Sequence, residues 1–398
     1  MQIKKIRYFI FLRDVAWLSI TAFGGPQVHV AMFLDMFVKK RAYLSEKDFM
    51  ELNALCQILP GPSSTQTIIA LGFKIGGPSL AYLTLLVWAL PSVVVMTALG
   101  VTFTYLNQRN ISLEFMRFVQ PMAVAVVCHA AFRIVRMVVT TKTGFVLMSL
   151  TVLAAYYFRS PWVFPLVVVA SGSITALKFK EQPKEKDKKL KIEWANFILF
   201  WGVLITAAVL GAITRLLSIR LFENFYRNGS FIYGGGQVLI PVLLTEFVRF
   251  KKYLSEDEFL SGYGLAQLIP GPVFAFTAFI GALAMRDYGI PWQILGALIA
   301  STGIFLPGTF LIFFAIRFWE QLKKFRVVKA SLEGIQAGSS GLVLAAAIFL
   351  FQPQSTEVIN IIIIIATFLL LNFTKISLPL LIILGLLIGV GYEFLRTW

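Results

Sequence analysis

The stretch "QILPGP" at residues 57–62 returns as "QLIPGP" at residues 267–272, 210 positions later, and each copy interrupts an apolar segment. Proline removes a backbone N–H group and clashes with the preceding helical turn, whereas glycine tolerates positive φ angles. A Pro-Gly-Pro sequence inside an apolar segment therefore ends one half-helix and begins another. The two copies predict a duplicated architecture that is built on broken helices.

The composition of the 398-residue chain indicates the environment of these helices. Hydrophobic residues make up 58% of the chain and charged residues only 14%, and the mean hydropathy is +0.79. Apolar runs of about 20 residues, long enough to cross the hydrocarbon core of a bilayer, recur along most of the chain. We therefore expect an all-α polytopic membrane protein.

The excess of basic residues does not indicate nucleic-acid binding. The net charge is +16, but Lys and Arg cluster at the ends of apolar segments, as the positive-inside rule describes. The chain has two cysteines and two histidines, and its Asp and Glu residues show no metal-ligand spacing. We expect no enzymatic activity, no cofactor, no metal and no nucleic-acid partner.

An ungapped match shows the duplication directly. Residues 23–62 align with residues 233–272 at a constant offset of 210, and the glycines, glutamines and prolines stay in register. Further along, the Leu-Pro pair at 90–91 corresponds to the pair at 306–307 at a slightly larger offset. Chance similarity between two apolar segments would not preserve this register, so we expect an internal repeat.

These boundaries predict four parts of the chain: an N-terminal membrane repeat (1–178), a Lys-rich cytoplasmic linker (179–193), a linking transmembrane helix (194–217) and a C-terminal membrane repeat (218–398). Each repeat has six apolar segments, and these include 10–38, 49–74, 222–248 and 258–285. One linking helix between two even-numbered repeats inverts the second repeat, as in many secondary transporters.

The distribution of Lys and Arg predicts a cytoplasmic N-terminus in a multi-pass protein of the cytoplasmic membrane. If every segment spans, most basic residues, including those at 249–252, are cytoplasmic, but the cluster at 39–41 is external. A re-entrant hairpin at 10–38 would return that cluster to the cytoplasmic side. The sequence leaves both arrangements open.

The breaks also predict a substrate site. The first N–H groups of a half-helix lack intrahelical acceptors and carry partial positive charge, so inside a membrane they line a cavity or meet a ligand. The stretches "FGGPQ" (23–27) and "YGGGQ" (233–237) predict a second pair of breaks, and all four could converge near the bilayer midplane. The alternative is that the motifs only kink the helices or permit close packing.

The first Pro-Gly-Pro is followed by "SSTQT" and the second by "VFAFT", so we expect the substrate at the more polar first site. Hydroxyls beside free N–H groups at a helix start favour an anion. The candidate substrate-binding residues in the first repeat are Gly24, Gly25, Pro26, Gln27, His29, Gln57, Pro60, Gly61, Pro62, Ser63, Ser64 and Thr65. Those in the second repeat are Gly234, Gly235, Gly236, Gln237, Gln267, Pro270, Gly271 and Pro272.

Four ionisable residues in or beside apolar segments are candidates for ion coupling, namely His129, Arg133, Asp35 and Glu246. His129 and Arg133 are spaced to share one helix face, where an arginine could bind an oxyanion. The simpler interpretation is that the arginine and the two acids anchor segment ends at the membrane interface.

The segments "AFGGPQVHV", "CQILPGPSSTQ", "YGGGQVLIPVLL" and "QLIPGP" resemble the signature segments of the chromate ion transporter family in its long, two-domain form. The resemblance covers essentially the whole chain. It implies export of chromate from the cytoplasm, driven by the proton motive force, with sulfate as a mimic of the substrate. It also implies that the glycines, prolines and glutamines of the four motifs belong to the functional core.

We therefore expect a secondary active transporter that exports a tetrahedral oxyanion dianion, chromate in the first place. An inside-negative potential favours outward movement of negative charge by about 2.3 kcal/mol per charge per 100 mV. The alternative is an importer of sulfate or a related oxyanion on the same scaffold, which would need coupled cations. A homodimer is compatible with the sequence, but no motif requires one.

Overall fold

The computed structural model describes residues 2–109, 111, 114–158, 160, 162–178, 193–233, 236–317, 326–374 and 376–397. These residues form helices joined by short turns, and no strand occurs among them. Six helical stretches are long and apolar enough to cross a membrane, namely 63–108, 114–136, 195–214, 290–315, 326–354 and 378–395. The chain is a multi-pass helical membrane protein, as its composition predicts.

The helices before the Lys-rich stretch are α1 (Gln2–Thr21), α2 (Pro26–Phe33, continued by a π-helix at Leu34–Lys40), α3 (Glu46–Ile58), α4 (Ser63–Gln108), α5 (Val119–Val138), α6 (Lys142–Phe158) and α7 (Val163–Ala176). A short 3-10 turn, Glu114–Met116, precedes α5. Helix α4 is bent at Gly77, which has a φ of 74°. Residues 179–192 of the expected linker lie outside the described residues.

The later helices are α8 (Ala195–Thr214), α9 (Leu217–Phe231), α10 (Gly236–Leu243, continued by a π-helix at Leu244–Phe250), α11 (Glu256–Ala266), α12 (Phe276–Ala284), α13 (Ile290–Ala315), α14 (Arg326–Gln354), α15 (Val358–Phe373) and α16 (Leu378–Thr397). A 3-10 turn, Val273–Ala275, leads into α12. Helix α8 occupies the position of the expected linking helix.

The four apolar segments that carry the motifs are each a pair of helices: α1–α2, α3–α4, α9–α10 and α11–α12. Glycine makes three of these breaks possible, because Gly24, Gly25, Gly61 and Gly271 have φ angles between 79° and 117°. Residues with side chains rarely adopt this conformation. The sequence predicted broken helices at 10–38, 49–74, 222–248 and 258–285 and left open whether they span or turn back; in the structure each of these segments is a helical hairpin.

In the first hairpin, α1 and α2 run antiparallel, so that the chain returns to the end from which it started. The Arg41 guanidinium donates two hydrogen bonds, of 2.6 and 3.0 Å, to the carboxylate of Asp14 on α1. The guanidinium of Arg7, near the start of α1, lies 5.2 Å from the centre of the Tyr43 ring. The basic cluster at 39–41 thus lies at the same end as the N-terminus, the arrangement that a re-entrant hairpin requires.

The hairpin α9–α10 has the same antiparallel form in the second repeat. The rings of Phe225 and Phe247 stack at 4.4 Å, and the Arg227 guanidinium lies 3.1 Å from the Glu246 carboxylate. The basic cluster at 249–252 consequently lies at the end from which α9 starts. This placement differs from the cytoplasmic one that follows from spanning segments, because the break turns the chain back.

The other two hairpins are closed by contacts between their arms. The Thr67 hydroxyl of α4 lies 3.2 Å from Asn53 Oδ1 of α3. In the second repeat, Phe259 of α11 packs edge-on against Phe276 of α12, with the ring centres 5.2 Å apart. The ends of this hairpin meet where Arg286 Nη1 donates to Glu258 Oε1 over 2.6 Å.

Backbone features recur between the two repeats. The π-helices at Leu34–Lys40 and Leu244–Phe250 are 210 residues apart. Two residues with side chains have positive φ angles at the same spacing, Ala42 with 49° and Lys252 with 55°. Conformations this uncommon recur at matched positions because duplicated sequence dictates duplicated backbone geometry.

Close helix packing joins the repeats through α14 and α7. A Cβ atom on Gly334 of α14 would overlap the carbonyl of Ser171 on α7. We expect Gly334→Ala to lower the melting temperature of the purified protein, because overpacking costs about 1–3 kcal/mol.

The matched control is Gly202→Ala on α8, where no atom lies within 4 Å of the added carbon. Its melting temperature should stay the same or rise, since alanine is the better helix former. Thermal unfolding in one detergent measures both variants. Equal losses in the two would contradict the packing argument.

Candidate functional site

The N-termini of α2 and α4 meet inside the first repeat. Gly25 is the N-cap of α2 and Pro62 the N-cap of α4, and neither cap supplies a side-chain hydrogen bond to the first helical turn. His29 Nδ1, in the first turns of α2, lies 3.3 Å from Ser64 Oγ at the start of α4. Two helix ends with partial positive charge are thereby placed side by side.

Polar groups of several elements surround this meeting point. Trp88 Nε1, from the distal part of α4, donates to Thr65 Oγ1 over 3.2 Å, and the Trp88 ring packs edge-on against His29 at 5.3 Å. The imidazole also interacts with the Ala22 carbonyl, but among the described residues its Nε2 has no hydrogen bond of good geometry. His29 and Thr65 are both fully buried, so these donors are held away from bulk water.

Two backbone hydrogen bonds tie the breaks of one repeat to those of the other. The Gly61 amide donates to the Ile232 carbonyl over 2.7 Å, and the Gly271 amide donates to the Ala22 carbonyl over 2.9 Å. Donors and acceptors are each 210 residues apart, so the two bonds correspond. The Pro-Gly-Pro loop of each repeat therefore contacts the other repeat, at the residue just before that other repeat's glycine motif.

The loops are also held by helices that carry the Leu-Pro pairs. Gln66 Nε2 donates to the Pro60 carbonyl over 2.8 Å and to the Gly308 carbonyl of α13 over 3.2 Å. In the other repeat, the Ser92 hydroxyl of α4 donates to the Pro270 carbonyl over 2.9 Å. Gly308 and Ser92 each follow the proline of a Leu-Pro pair. The contact between a Pro-Gly-Pro loop and the residue after a Leu-Pro pair is therefore also made twice.

The corresponding helix ends in the second repeat meet among apolar side chains. A Cβ atom on Gly236, the first residue of α10, would lie 3.5 Å from Val273 Cβ at the second Pro-Gly-Pro. The counterparts of His29 and Ser64 are Leu239 and Phe274, which are 0% and 3% exposed. The two sites are chemically different, in the sense that "SSTQT" and "VFAFT" predict.

The motif residues differ in their surroundings. The first Pro-Gly-Pro triplet is buried, whereas Gln57 is exposed near the end of α3. Gln267 is partly exposed, and its Nε2 donates to the Tyr263 carbonyl over 3.5 Å. Gly234 and Gly235, and the side chains of Gln27 and Gln237, lie outside the described part of the chain.

The structure separates the two candidate acidic residues. The Asp35 side chain is 51% exposed and forms an ion pair of 3.0 Å with Lys40. The Glu246 side chain is 1% exposed and pairs with Arg227, whose Nε also lies 2.9 Å from the Glu223 carboxylate. Among the described residues, Glu246 Oε2 has no hydrogen-bond partner. Of the two, only Glu246 is a buried charge.

His129 and Arg133 lie on α5, at a distance in sequence from all four motifs. The His129 ring packs edge-on against Phe368 of α15, with the ring centres 6.0 Å apart. Arg133 is exposed on the same helix. Among the described residues, no contact of His129 joins it to the meeting point of α2 and α4.

Three residues that contact the Pro-Gly-Pro loops or the meeting point of α2 and α4 were not predicted from the sequence: Trp88, Ser92 and Gly308. The signal for two of them was present, because the Leu-Pro pairs before Ser92 and Gly308 keep their correspondence in a region where the repeats otherwise diverge. No comparable signal marks Trp88.

Interrupted helices whose N-termini meet in the interior of a helical membrane protein occur in many membrane transporters. The sequence comparisons identify the group. The chain matches the chromate transporter family over residues 10–176 and 219–390, and it belongs to that family.

Relatives of similar length support this assignment. The chain is 26% identical to a chromate transport protein of Pseudomonas aeruginosa over 85% of this chain and 80% of the relative. It is 24% identical to a chromate transport protein of Cupriavidus metallidurans, over 95% and 92% of the two chains. It is also 25% identical to an uncharacterised transporter of Methanocaldococcus jannaschii, over 94% and 91%. No solved structure matches the chain.

The bonds of Gln66 give a test of the meeting point. Gln66→Met keeps the length of the side chain but removes two donors, so the carbonyls of Pro60 and Gly308 lose their partner. We expect the free energy of unfolding to fall by about 1–3 kcal/mol.

The control is Gln57→Met, at an exposed position near the end of α3. Its unfolding should change by less than about 0.5 kcal/mol, as surface substitutions usually do. Denaturant titration in detergent compares the two. Equal effects would show that the bonds of Gln66 do not hold the repeats together.

Proposed function

We propose that this protein is a secondary active transporter that exports chromate across the cytoplasmic membrane. The observation that carries the proposal is the meeting of the α2 and α4 N-termini at His29 and Ser64, 3.3 Å apart and buried. Membership of the chromate transporter family supports the choice of substrate.

The bound oxyanion would be held by neutral donors. The first N–H groups of α2 and α4 point out of their helix ends, and the hydroxyls of Ser64 and Thr65 lie beside them. Helix N-termini bind anions because these N–H groups and the helix dipole both favour negative charge. His29 would add a ring N–H. These preorganised donors would replace the water that the anion loses.

We propose a topology of nine crossing helices and four re-entrant hairpins. The crossing helices are the part of α4 beyond Gly77 and α5, α6, α7, α8, α13, α14, α15 and α16. The first repeat then starts and ends on the cytoplasmic side, with the Lys-rich linker, and α8 inverts the second repeat. Both the basic cluster at 39–41 and the N-terminus are cytoplasmic in this scheme, as the positive-inside rule favours.

The membrane potential would supply the driving force. Two negative charges moving outward gain about 2.3 kcal/mol each per 100 mV of inside-negative potential. Export of a dianion can therefore proceed without an exchanged proton. Glu246, which is buried and bonded through only one of its carboxylate oxygens, is the candidate for any proton coupling.

The alternative function is import of sulfate or a related oxyanion through the same site. Import of a dianion works against the potential and needs coupled cations. Transport that depends on external protons or Na⁺ would favour this alternative.

The experiment is uptake of labelled chromate into inverted membrane vesicles, whose lumen corresponds to the cell exterior. A lumen-positive diffusion potential should accelerate uptake, and sulfate should compete. If vesicles with the protein accumulate no more chromate than empty vesicles under any gradient, the proposed substrate is wrong.

The polar site predicts a specific loss. Ser64→Ala removes one hydroxyl donor, and a hydrogen bond to a charged group contributes about 1.5–3 kcal/mol. We expect the chromate concentration for half-maximal uptake to rise by about 10-fold or more, with the amount of folded protein unchanged.

The control is Thr277→Val in the second repeat; the Thr277 hydroxyl donates to the carbonyl of Phe274, in the 3-10 turn before α12, over 2.8 Å. Its uptake curve should match that of the unaltered protein. A shift of equal size in this variant would place the substrate elsewhere.

A further inference from the structure

The two repeats bury their corresponding helices to different extents. From Gly236 to Phe247, every residue whose side chain is described is buried, whereas only His29, Phe33 and Phe37 are buried over the corresponding stretch of α2. Val28 is 41% exposed, and its counterpart Val238 is 1% exposed. Corresponding positions are therefore covered by neighbouring helices in the second repeat and are much less covered in the first.

The next helix shows the same difference. Met50 on α3 is 50% exposed, and its counterpart on α11, Leu260, is fully buried. Ala54 is exposed where its counterpart Gly264 is buried. We call the exposed surface the α2–α3 face and define it by Val28, Ala31, Met50, Ala54 and Gln57.

The counterparts of this face are covered by α5 and α14. Gln120 Nε2 of α5 donates to the Ser261 hydroxyl of α11 over 3.3 Å. A Cβ atom on Gly264 would collide with Val119 of α5, so the two helices are in close contact there. Helix α10 packs on α14, and within the described residues no packing of this extent joins α2 or α3 to α5 or α14.

Contacts of α5 and α14 show which of their residues correspond. Arg117 pairs with Glu357 over 2.8 Å. An offset of 216 relates Arg117 to Glu333 and Thr141 to Glu357, and Glu333 in turn accepts a hydrogen bond from the Thr141 hydroxyl. The same offset relates the Leu-Pro pairs at 90–91 and 306–307. By this offset Gln120 corresponds to Gln336, which is exposed on α14.

We propose that the α2–α3 face docks on α14 around Gln336, and on α5, in a second conformation of the same chain. There α3 would pack on α14 as α11 packs on α5 here, and α10–α11 would separate from α5 and α14. The proposal rests on the proposed function, since alternate exposure of one site is what a transporter requires. This structure is then the state in which the α2–α3 face is not docked and the site beside His29 is buried.

The composition of the α2–α3 face favours docking on α14 and α5 over contact with lipid. Ala54 and Gln57 are a small and a polar residue, and the counterpart of Ala54 is a glycine that permits the close contact with Val119. The exposed surface of the apolar helix α8 carries large apolar side chains instead, such as Ile198 and Ile213, which are 66% and 73% exposed.

Two cysteine pairs test the proposal in a background of Cys56→Ala and Cys128→Ala. Gln120→Cys with Ser261→Cys joins positions that touch in this structure. Glu51→Cys with Gln336→Cys joins the corresponding positions of the other repeat, because Ser261 corresponds to Glu51 and Gln120 corresponds to Gln336. We expect oxidation to form the first bond in this state and the second in the other state, so that voltage and chromate change the two yields in opposite directions.

Trapping gives the functional readout. Oxidation of the 51–336 pair should lower chromate uptake into vesicles at least 10-fold, and a reductant should restore it. As a measure that needs no second cysteine, Ala54→Cys should react with an impermeant maleimide from the cytoplasmic side and lose about 10-fold in rate once the other state is populated.

Several outcomes would overturn the inference. One is a 51–336 pair that forms no bond while the reduced variant still transports. Another is a 51–336 bond that forms only between two chains, which would make the face a dimer contact. Constant reactivity of the cysteine at 54 would also contradict it. Absence of chromate uptake by the unaltered protein would instead count against the proposed substrate, because cross-linking driven by voltage can be read without it.

Discussion

The structure depends on one requirement, which is that broken helices inside a membrane must find partners for their free backbone groups. A buried amide without a hydrogen-bond partner costs about 1–3 kcal/mol even in soluble proteins, and in the lipid core no water is present to bond to it. The Gly61 and Gly271 amides meet this requirement across the repeat boundary, at Ile232 and Ala22. Each Pro-Gly-Pro loop therefore depends on the other repeat for this bond, and the two bonds join the duplicated halves.

The sequence predicted the parts of the fold that depend on local chemistry. Pro-Gly-Pro and the paired glycines identify the breaks because few residues tolerate those φ angles, and "SSTQT" identifies the more polar of the two sites. It did not decide between spans and hairpins, because a break that redirects a helix and one that reverses it have the same composition. That choice is made by contacts such as Arg41 with Asp14.

Long-range partners were the other part that sequence could not supply. Asp35 and Glu246 looked equivalent because they lie in matched segments, but the position that corresponds to Asp35 is Thr245. One residue of register turns Glu246 inward onto Arg227 and leaves Asp35 with Lys40 at the surface. Trp88 is a similar case, since only the tertiary fold brings it to Thr65.

The two repeats share backbone geometry but differ in the polar and charged side chains at corresponding positions. The first hairpin of each repeat is held by an ion pair, Asp14 with Arg41 in α1–α2 and Arg227 with Glu246 in α9–α10. The buried Arg227 is already bonded to two carboxylates, so it offers little free charge to a passing anion. In the proposed site, the polar helix ends beside His29 and Ser64 would hold the anion with neutral donors, and such a site would bind a dianion without retaining it. A carrier needs this balance, because a transported ion must find its site favourable enough to enter and weak enough to leave.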